Sequence, residues 1–176
     1  LASAMETFRA EAATGLVLDV HTGELLAMVS LPTFNPNTPR QMPPPQLDER
    51  GVPMPGPDYN RATNAVYELG STFKPITFAN AIDLGVVTSM AKRYDATAPL
   101  QVGRFRIHDD EPLKRWLDTP EALVHSSNIV TARVADEIGA ERMASMFRRL
   151  GFDKRVPLEI EARGRPLFPS FWARTT

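Results

Sequence analysis

The 176-residue chain contains no cysteine. Disulfides, thiol nucleophiles and zinc–thiolate sites are therefore excluded. Histidine is scarce: His21, His108 and His125 are the only three, which leaves little scope for a histidine-rich metal centre. No charge sign dominates, with 20 Lys plus Arg against 21 Asp plus Glu and a net charge of −1. That balance argues against a nucleic-acid footprint. Apolar runs are short, such as Leu25 to Val29, where a membrane span needs about 20 residues. The N-terminus carries no secretory signal pattern either, so any export signal or anchor is expected to lie outside this stretch. What remains is an ordinary globular composition, 43% apolar, of a length that suits one domain.

Proline is the unusual abundance. Nine of the 16 prolines fall between Pro32 and Pro57, where they remove backbone donors and forbid helix. Residues 31–60 are read as one long, structureless and mobile loop, because a loop of that length is commonly mobile or functional. Before it, Thr14 to Val20 and Leu25 to Ser30 flank His21-Thr22-Gly23-Glu24 and predict a β-hairpin turning on Gly23. Its apolar residues do not strictly alternate, which predicts a sheet covered on both faces. A helix is expected over 72–84, with Ile76, Ala79 and Ile82 at helical spacing and Gly85 as the stop. Residues 86–113 read as short strands and turns. Thr119 as N-cap with Pro120 behind it starts a helical pattern that runs to Ile138 and stops at Gly139. Met143, Phe147 and Leu150 mark a further helix ending at Gly151, and 152–176 reads as extended.

Two clusters can carry chemistry. Ser71-Thr72-Phe73-Lys74 sits at the start of a predicted helix, where residues three apart share a face. The Lys74 amine then stands one turn above the Ser71 hydroxyl. Serine is a weak nucleophile at neutral pH and needs a base; lysine can be that base once burial lowers its pKa. The helix start adds free N–H groups suited to a developing oxyanion. Pro75 has no N–H for the Ser71 carbonyl, so the first turn cannot be fully laddered. The second cluster, Ser126-Ser127-Asn128, interrupts a helical pattern with three poor helix formers. It reads either as a break with a cap or as a polar site in which Ser126 passes a proton and Asn128 holds a carbonyl.

S-x-x-K followed by S-x-N is the motif order of penicillin-binding proteins and serine β-lactamases. The flanking residues carry the likeness further. Gly15 to Asn37, GLVLDVHTGELLAMVSLPTFNPN, resembles the opening hairpin of the transpeptidase domain of class B penicillin-binding proteins, most closely the cell-division type. Asn60 to Gly85, NRATNAVYELGSTFKPITFANAIDLG, resembles the nucleophile region, 107–128 the approach to S-x-N, and LGFDKRVPLEIEARGRPLFP the stretch that follows. The resemblance implies an α/β (α+β) fold, an antiparallel sheet flanked by helices with an all-helical lobe carrying Ser126 to Asn128. It implies Ser71 as acylated nucleophile, Lys74 as base, Ser126 as proton shuttle, Asn128 as binder of the donor amide, and the Ser71 N–H as one oxyanion donor. Neither a cofactor nor a metal is implied. The substrate would be the D-Ala-D-Ala end of a peptidoglycan stem peptide, with β-lactams as mimics. Divisome or elongasome membrane proteins would be partners, in a periplasmic enzyme anchored to the bacterial inner membrane.

The sequence departs from that family in one respect. None of Lys74, Lys92, Lys114 and Lys154 is followed by Thr-Gly or Ser-Gly, and in the family that triplet supplies the second oxyanion donor and the groups that bind the substrate carboxylate. Residues 1–176 are accordingly expected to be the N-terminal part of a transpeptidase domain, truncated before that motif and of low or no activity unless another chain supplies the rest. Two other functions remain open. STFK followed by DLGVV also resembles class D β-lactamases, although those have a hydrophobic residue where Asn128 stands; and a non-enzymatic penicillin-sensing or interaction domain would keep the fold. Of the weaker features, His108-Asp109-Asp110-Glu111 has the wrong geometry for a metal site. His21 and His125 form no Ser-His-Asp pattern, Arg148-Arg149 and Arg163/Arg165 read as solvated faces, and Trp116 and Trp172 read as packing residues.

Overall fold

The computed structural model describes residues 1–45, 47–160 and 164–169. They fall into two units, Leu1–Val66 with Arg155–Arg165, and Tyr67–Lys154 with Pro166–Thr176.

In the first unit a short helix, α1 (Ala2–Phe8), precedes the expected hairpin. Strand β1 (Ala13–Leu18) pairs antiparallel with β2 (Leu25–Leu31), from Ala13↔Leu31 to Leu18↔Leu25, with a register shift at Val17/Leu18. Asp19 builds the turn: its Oδ1 accepts from the N–H groups of His21 at 2.7 Å and Thr22 at 2.9 Å. Gly23 closes the turn at φ 77°, in the left-handed region. Among the described residues the hairpin is not covered on both faces, as the sequence suggested it would be. Leu16 and Leu18 on one face and Val17 on the other are exposed, as are Leu26 and Val29. Absence of strict alternation marks apolar residues on both faces and does not by itself bring a partner to either.

Residues 31–60 are more structured than their proline content predicts. They hold a 3₁₀ turn, Pro39–Gln41, and a bridge between Leu47 and Pro53. Asp48 Oδ1 accepts from Arg50 N–H and Val52 N–H at 2.9 and 2.8 Å. Prolines leave carbonyls without matching donors, and Arg61 supplies donors. Its buried guanidinium reaches the carbonyls of Pro55, Gly56 and Tyr59. Helix α2 (Arg61–Asn64) follows, N-capped by the Asn60 side chain.

The second unit holds helix α3 (Lys74–Asp83), entered through a 3₁₀ turn over Gly70–Phe73. The buried residues of α3 are Lys74, Thr77, Phe78, Asn80 and Ala81. This corrects the Ile76, Ala79 and Ile82 stripe: Ala79 and Ile82 are exposed. The two stripes have the same period, and only the packed neighbours decide which turns inward. Gly85 ends the helix at φ 68°. The short strands expected over 86–113 are β3 (Arg93–Asp95), β4 (Leu100–Val102) and β5 (Phe105–Ile107); β6 (Trp116–Asp118) lies beyond that range. Strand β3 pairs antiparallel with β6, and β4 with β5.

Helix α4 (Thr119–Val124) starts one residue earlier than expected. Asp118, not Thr119, is the N-cap, in a reciprocal capping box with Glu121. Helices α5 (Asn128–Ile138) and α6 (Ala140–Arg149) are separated by Gly139 at φ 84°. The core joins Phe78 and Ala81 of α3, Leu117, Ala122, the α5 residues Ile129, Val130, Val134 and Ile138, and Met143 and Phe147. Phe73, Phe147 and Phe152 stack edge-on and tilted, with ring centroids 5.2–5.6 Å apart. Among the described residues, no helix is long and apolar enough to cross a membrane.

Candidate active site

Ser71 lies on the exposed side of the 3₁₀ turn that opens α3. Pro75 explains the tight turn. Its ring nitrogen cannot donate to the Ser71 carbonyl, and that carbonyl accepts instead from Lys74 N–H three residues on. A 3₁₀ turn eclipses residues three apart, so Lys74 follows Ser71 on one edge. Unlike Ser71, Lys74 is buried, with 8% of its surface exposed.

Ser126 comes to the same place from α4. Helix α4 closes in a Schellman turn, with Ser127 N–H bonded to Ala122 O at 2.8 Å and Ser126 N–H to Leu123 O at 3.1 Å. The position Ser126 occupies usually belongs to glycine, because it needs a left-handed backbone, and Ser126 adopts φ 51°. Ser127 then N-caps α5 by accepting from Val130 N–H at 3.1 Å. Of the two sequence readings of Ser126–Asn128, the structure contains both features: a break with a cap at Ser127, and a polar cluster around Ser126.

Lys74 Nζ donates to Ser126 Oγ at 2.9 Å and to Ser126 O at 2.5 Å. Ser126 Oγ and Ser71 Oγ are hydrogen-bonded at 3.2 Å. The three side chains therefore form a line, Lys74–Ser126–Ser71, with Ser126 in the middle. Burial pushes the Lys74 amine below its ordinary value of 10.5, while the charges of Asp109 and Asp110 oppose that shift. Asn128, half-buried at the start of α5, donates from Nδ2 to His108 O at 2.8 Å. A cavity of about 310 Å³ is lined by Ser71, Lys74, Thr77, Asn128 and Thr131 among others. All four expected site residues are thus gathered, three of them on this one cavity. A larger cavity of about 610 Å³, bounded by Tyr94, Trp116, Arg133 and Met143, contains none of the four.

The remaining signals separate from this cluster. Exposed His125 caps α4, and exposed His21 lies in the β1–β2 turn. Arg149 pairs with Asp83 at the surface, at 3.7 Å, and Arg148 lies over the Phe168 ring. Trp116 is exposed on β6, so it is not the packing residue expected. Arg163 and Trp172 lie outside the described residues. The sequence marks Asp109 only as a poor metal ligand. It is buried and accepts hydrogen bonds from Ser127 Oγ and Ile129 N–H. The signal available in the sequence was a run of non-helical polar residues that needs a partner to hold it.

Comparison with known proteins gives a consistent result. The family described as penicillin binding protein transpeptidase domain matches residues 13–173. A probable peptidoglycan D,D-transpeptidase FtsI of Caulobacter vibrioides is 39% identical over all 176 residues, which span 28% of that protein. Among solved structures, a peptidoglycan glycosyltransferase from Burkholderia ambifaria superposes with a TM-score of 0.78 at 26% identity, covering 99% of this chain and 48% of that one. The transpeptidase domain of Burkholderia pseudomallei penicillin-binding protein 3 gives 0.73 at 25% identity, over 93% and 41%. The chain belongs to the penicillin-binding-protein transpeptidase domain family.

Proposed function

We propose that this chain carries the acylation machinery of a peptidoglycan D,D-transpeptidase of the cell-division type, working in the periplasm on stem peptides ending in D-Ala-D-Ala and open to attack by β-lactams. The observation that supports this most is the hydrogen-bonded line Lys74–Ser126–Ser71 beside an open cavity. Hydroxyl hydrogens rotate freely, so the line conducts in either direction. With Lys74 neutral, Ser71 O–H donates to Ser126 Oγ and Ser126 O–H donates to Nζ. As Ser71 Oγ attacks the carbonyl carbon of the D-Ala-D-Ala bond, the Ser71 proton passes to Ser126 and the Ser126 proton to Lys74. The carbonyl electron pair moves onto its oxygen. Ser71 N–H, ahead of the first bonded N–H of the turn (Thr72 to Leu69 O at 3.2 Å), stabilises that oxyanion. Collapse breaks the C–N bond, and the proton returns from Lys74 through Ser126 to the departing D-Ala nitrogen. An amine of a second stem peptide then attacks the Ser71 ester, loses a proton along the same line, and forms the cross-link while Ser71 regains its hydrogen. Asn128 holds the donor amide. In a β-lactam the cleaved nitrogen stays tethered, so the ester persists.

The test is intact-mass analysis of the 176-residue chain after prolonged incubation with saturating benzylpenicillin. The expected result is a slow, stoichiometric adduct of one drug, mapped to Ser71 by peptide sequencing. Loss of one oxyanion donor slows such reactions by about 10²–10³, which makes acylation slow without abolishing it. No adduct on chain shown to be folded by circular dichroism would overturn the proposal. Turnover of the drug without accumulation would favour a hydrolase.

Ser126 supplies a second, separable check. A non-glycine residue in the left-handed region costs about 1 kcal/mol, a cost that is tolerated where the side chain is needed. Ser126→Gly is expected to relieve that strain, leaving the urea midpoint unchanged or higher, while slowing acylation about 100-fold by interrupting the line. A variant that acylates at the wild-type rate would remove Ser126 from the mechanism.

A further inference from the structure

The residue that holds the Ser126 turn in place lies elsewhere in the sequence. Asp109 follows β5 and is 8% exposed, yet it makes no ion pair among the described residues. A buried carboxylate is costly unless hydrogen bonds satisfy it. Here they do: Oδ2 accepts from Ser127 Oγ at 2.9 Å, and Oδ1 accepts from Ser127 Oγ at 3.1 Å and from Ile129 N–H at 2.9 Å. The neighbouring carbonyl, His108 O, accepts from Asn128 Nδ2 at 2.8 Å. Two adjacent residues on one segment therefore grip three adjacent residues at the start of α5. Ser126 is the next residue back. It is bonded to Lys74 through both its hydroxyl and its carbonyl, and its strained backbone would relax if the grip were lost.

We propose that Asp109 is a positioning residue, whose buried carboxylate clamps the Ser127–Ile129 segment and so keeps Ser126 between Lys74 and Ser71. The proposal rests on the acylation reading above. The clamp is suited to its place. An ionised carboxylate accepts without donating, which matches the Ser127 hydroxyl and the Ile129 N–H it faces. The start of an 11-residue helix also favours a negative charge. The same charge opposes the effect of burial on Lys74, as does Asp110, so the clamp and the base are coupled.

The experiment compares the 176-residue chain with Asp109→Ala and Asp109→Asn. Acylation is followed by intact mass at saturating benzylpenicillin, and the Lys74 amine is titrated through its ε-carbon ¹³C shift. Asp109→Ala is expected to slow the saturated acylation step about 10- to 100-fold, the effect of misplacing a reacting group by about an ångström. Asp109→Asn keeps an acceptor for Ile129 and a partner for Ser127, and is expected to recover most of that loss. Both variants should lower the Lys74 midpoint, because a negative neighbour that favours the ammonium form is gone. Alanine acylating within about twofold of wild type, asparagine as slow as alanine, or an unchanged Lys74 midpoint in both variants would each overturn the proposal. If the wild-type chain forms no adduct, the acylation reading fails and the Ser126 backbone amide resonance decides the clamp: shifted in Asp109→Ala and kept in Asp109→Asn supports it, and unmoved in both overturns it. If Asp109→Ala does not fold, the asparagine variant decides: acylation and a Ser126 backbone amide resonance close to wild type support the clamp, and acylation slowed 10-fold or more overturns it.

Discussion

Lys74→Ala is expected to slow acylation of Ser71 by about 10²–10⁴, the range over which a positioned general base acts. That loss is about 3–5 kcal/mol of transition-state stabilisation, at 1.36 kcal/mol per tenfold change. The reason is geometric. Ser71 is exposed, and its one side-chain partner among the described residues is Ser126, which cannot itself serve as the final acceptor of the proton. Lys74 can, because burial lowers its pKa from 10.5. The pH dependence has a definite sign. Acylation requires the neutral amine, so the rate rises with pH and levels off above the lowered Lys74 midpoint. Folding stability follows the same group. The amine is held below its unfolded value, so between that lowered midpoint and 10.5 the unfolded chain binds more protons and stability increases with pH. Below the lowered midpoint both states are protonated and this contribution is flat. Intact-mass kinetics across pH on wild type and Lys74→Ala, with urea midpoints on the same samples, check both halves. An alanine variant that acylates at the wild-type rate would require a different base.

Much of this arrangement is legible in the sequence alone. Ser71 and Lys74 could be placed together because a helix start imposes a three-residue spacing, and Pro75 announced the disturbed first turn that the structure shows as 3₁₀. Ser126–Asn128 stood out because three poor helix formers in a row must end something. The expectation failed where a local pattern had two solutions. Thr119-Pro120 looked like a cap followed by N1, yet Asp118 reaches Glu121 and takes the cap one residue earlier. Residues 31–60 read as structureless because their prolines lack donors, yet Asp48 folds a turn within them and the Arg61 guanidinium just beyond serves the carbonyls of Pro55, Gly56 and Tyr59. Asp109 was invisible as a clamp. It lies 18 residues before Ser127, and nothing in the local sequence pairs them. The resemblance names Ser126 as a proton shuttle, but spacing does not place it between Lys74 and Ser71. A helical spacing predicts which side chains share a face, whereas the Schellman turn that swings Ser126 onto Lys74 depends on where α4 ends against α5.

The rotation of α3 separates a local pattern from tertiary packing most sharply, and it carries the largest expected effect on stability. Phe78→Ala is expected to destabilise the folded chain by about 3–5 kcal/mol, the usual cost of deleting a buried phenylalanine. Phe78 is 1% exposed and belongs to the core cluster shared with α5 and α6. Its loss removes both transfer energy and packing partners, because the surroundings collapse only in part. Against a total stability of about 5–15 kcal/mol for a domain, that is a large fraction. Ile82→Ala, on the same helix, is the informative contrast. Ile82 belongs to the stripe that the sequence suggested, but it is 48% exposed, and surface substitutions stay within about 0.5 kcal/mol. Urea unfolding of the two variants and wild type, followed by circular dichroism, should give a large drop in midpoint for Phe78→Ala and almost none for Ile82→Ala. Equal effects would mean that the two stripes share the burial, and a reversed order would mean that α3 is turned the other way. The second outcome would also move Lys74, because Lys74 and Phe78 are four residues apart on one face and turn inward together. The stability of this helix face and the placement of Lys74 on Ser126 are thus one property of the fold, and a single pair of alanine variants measures it.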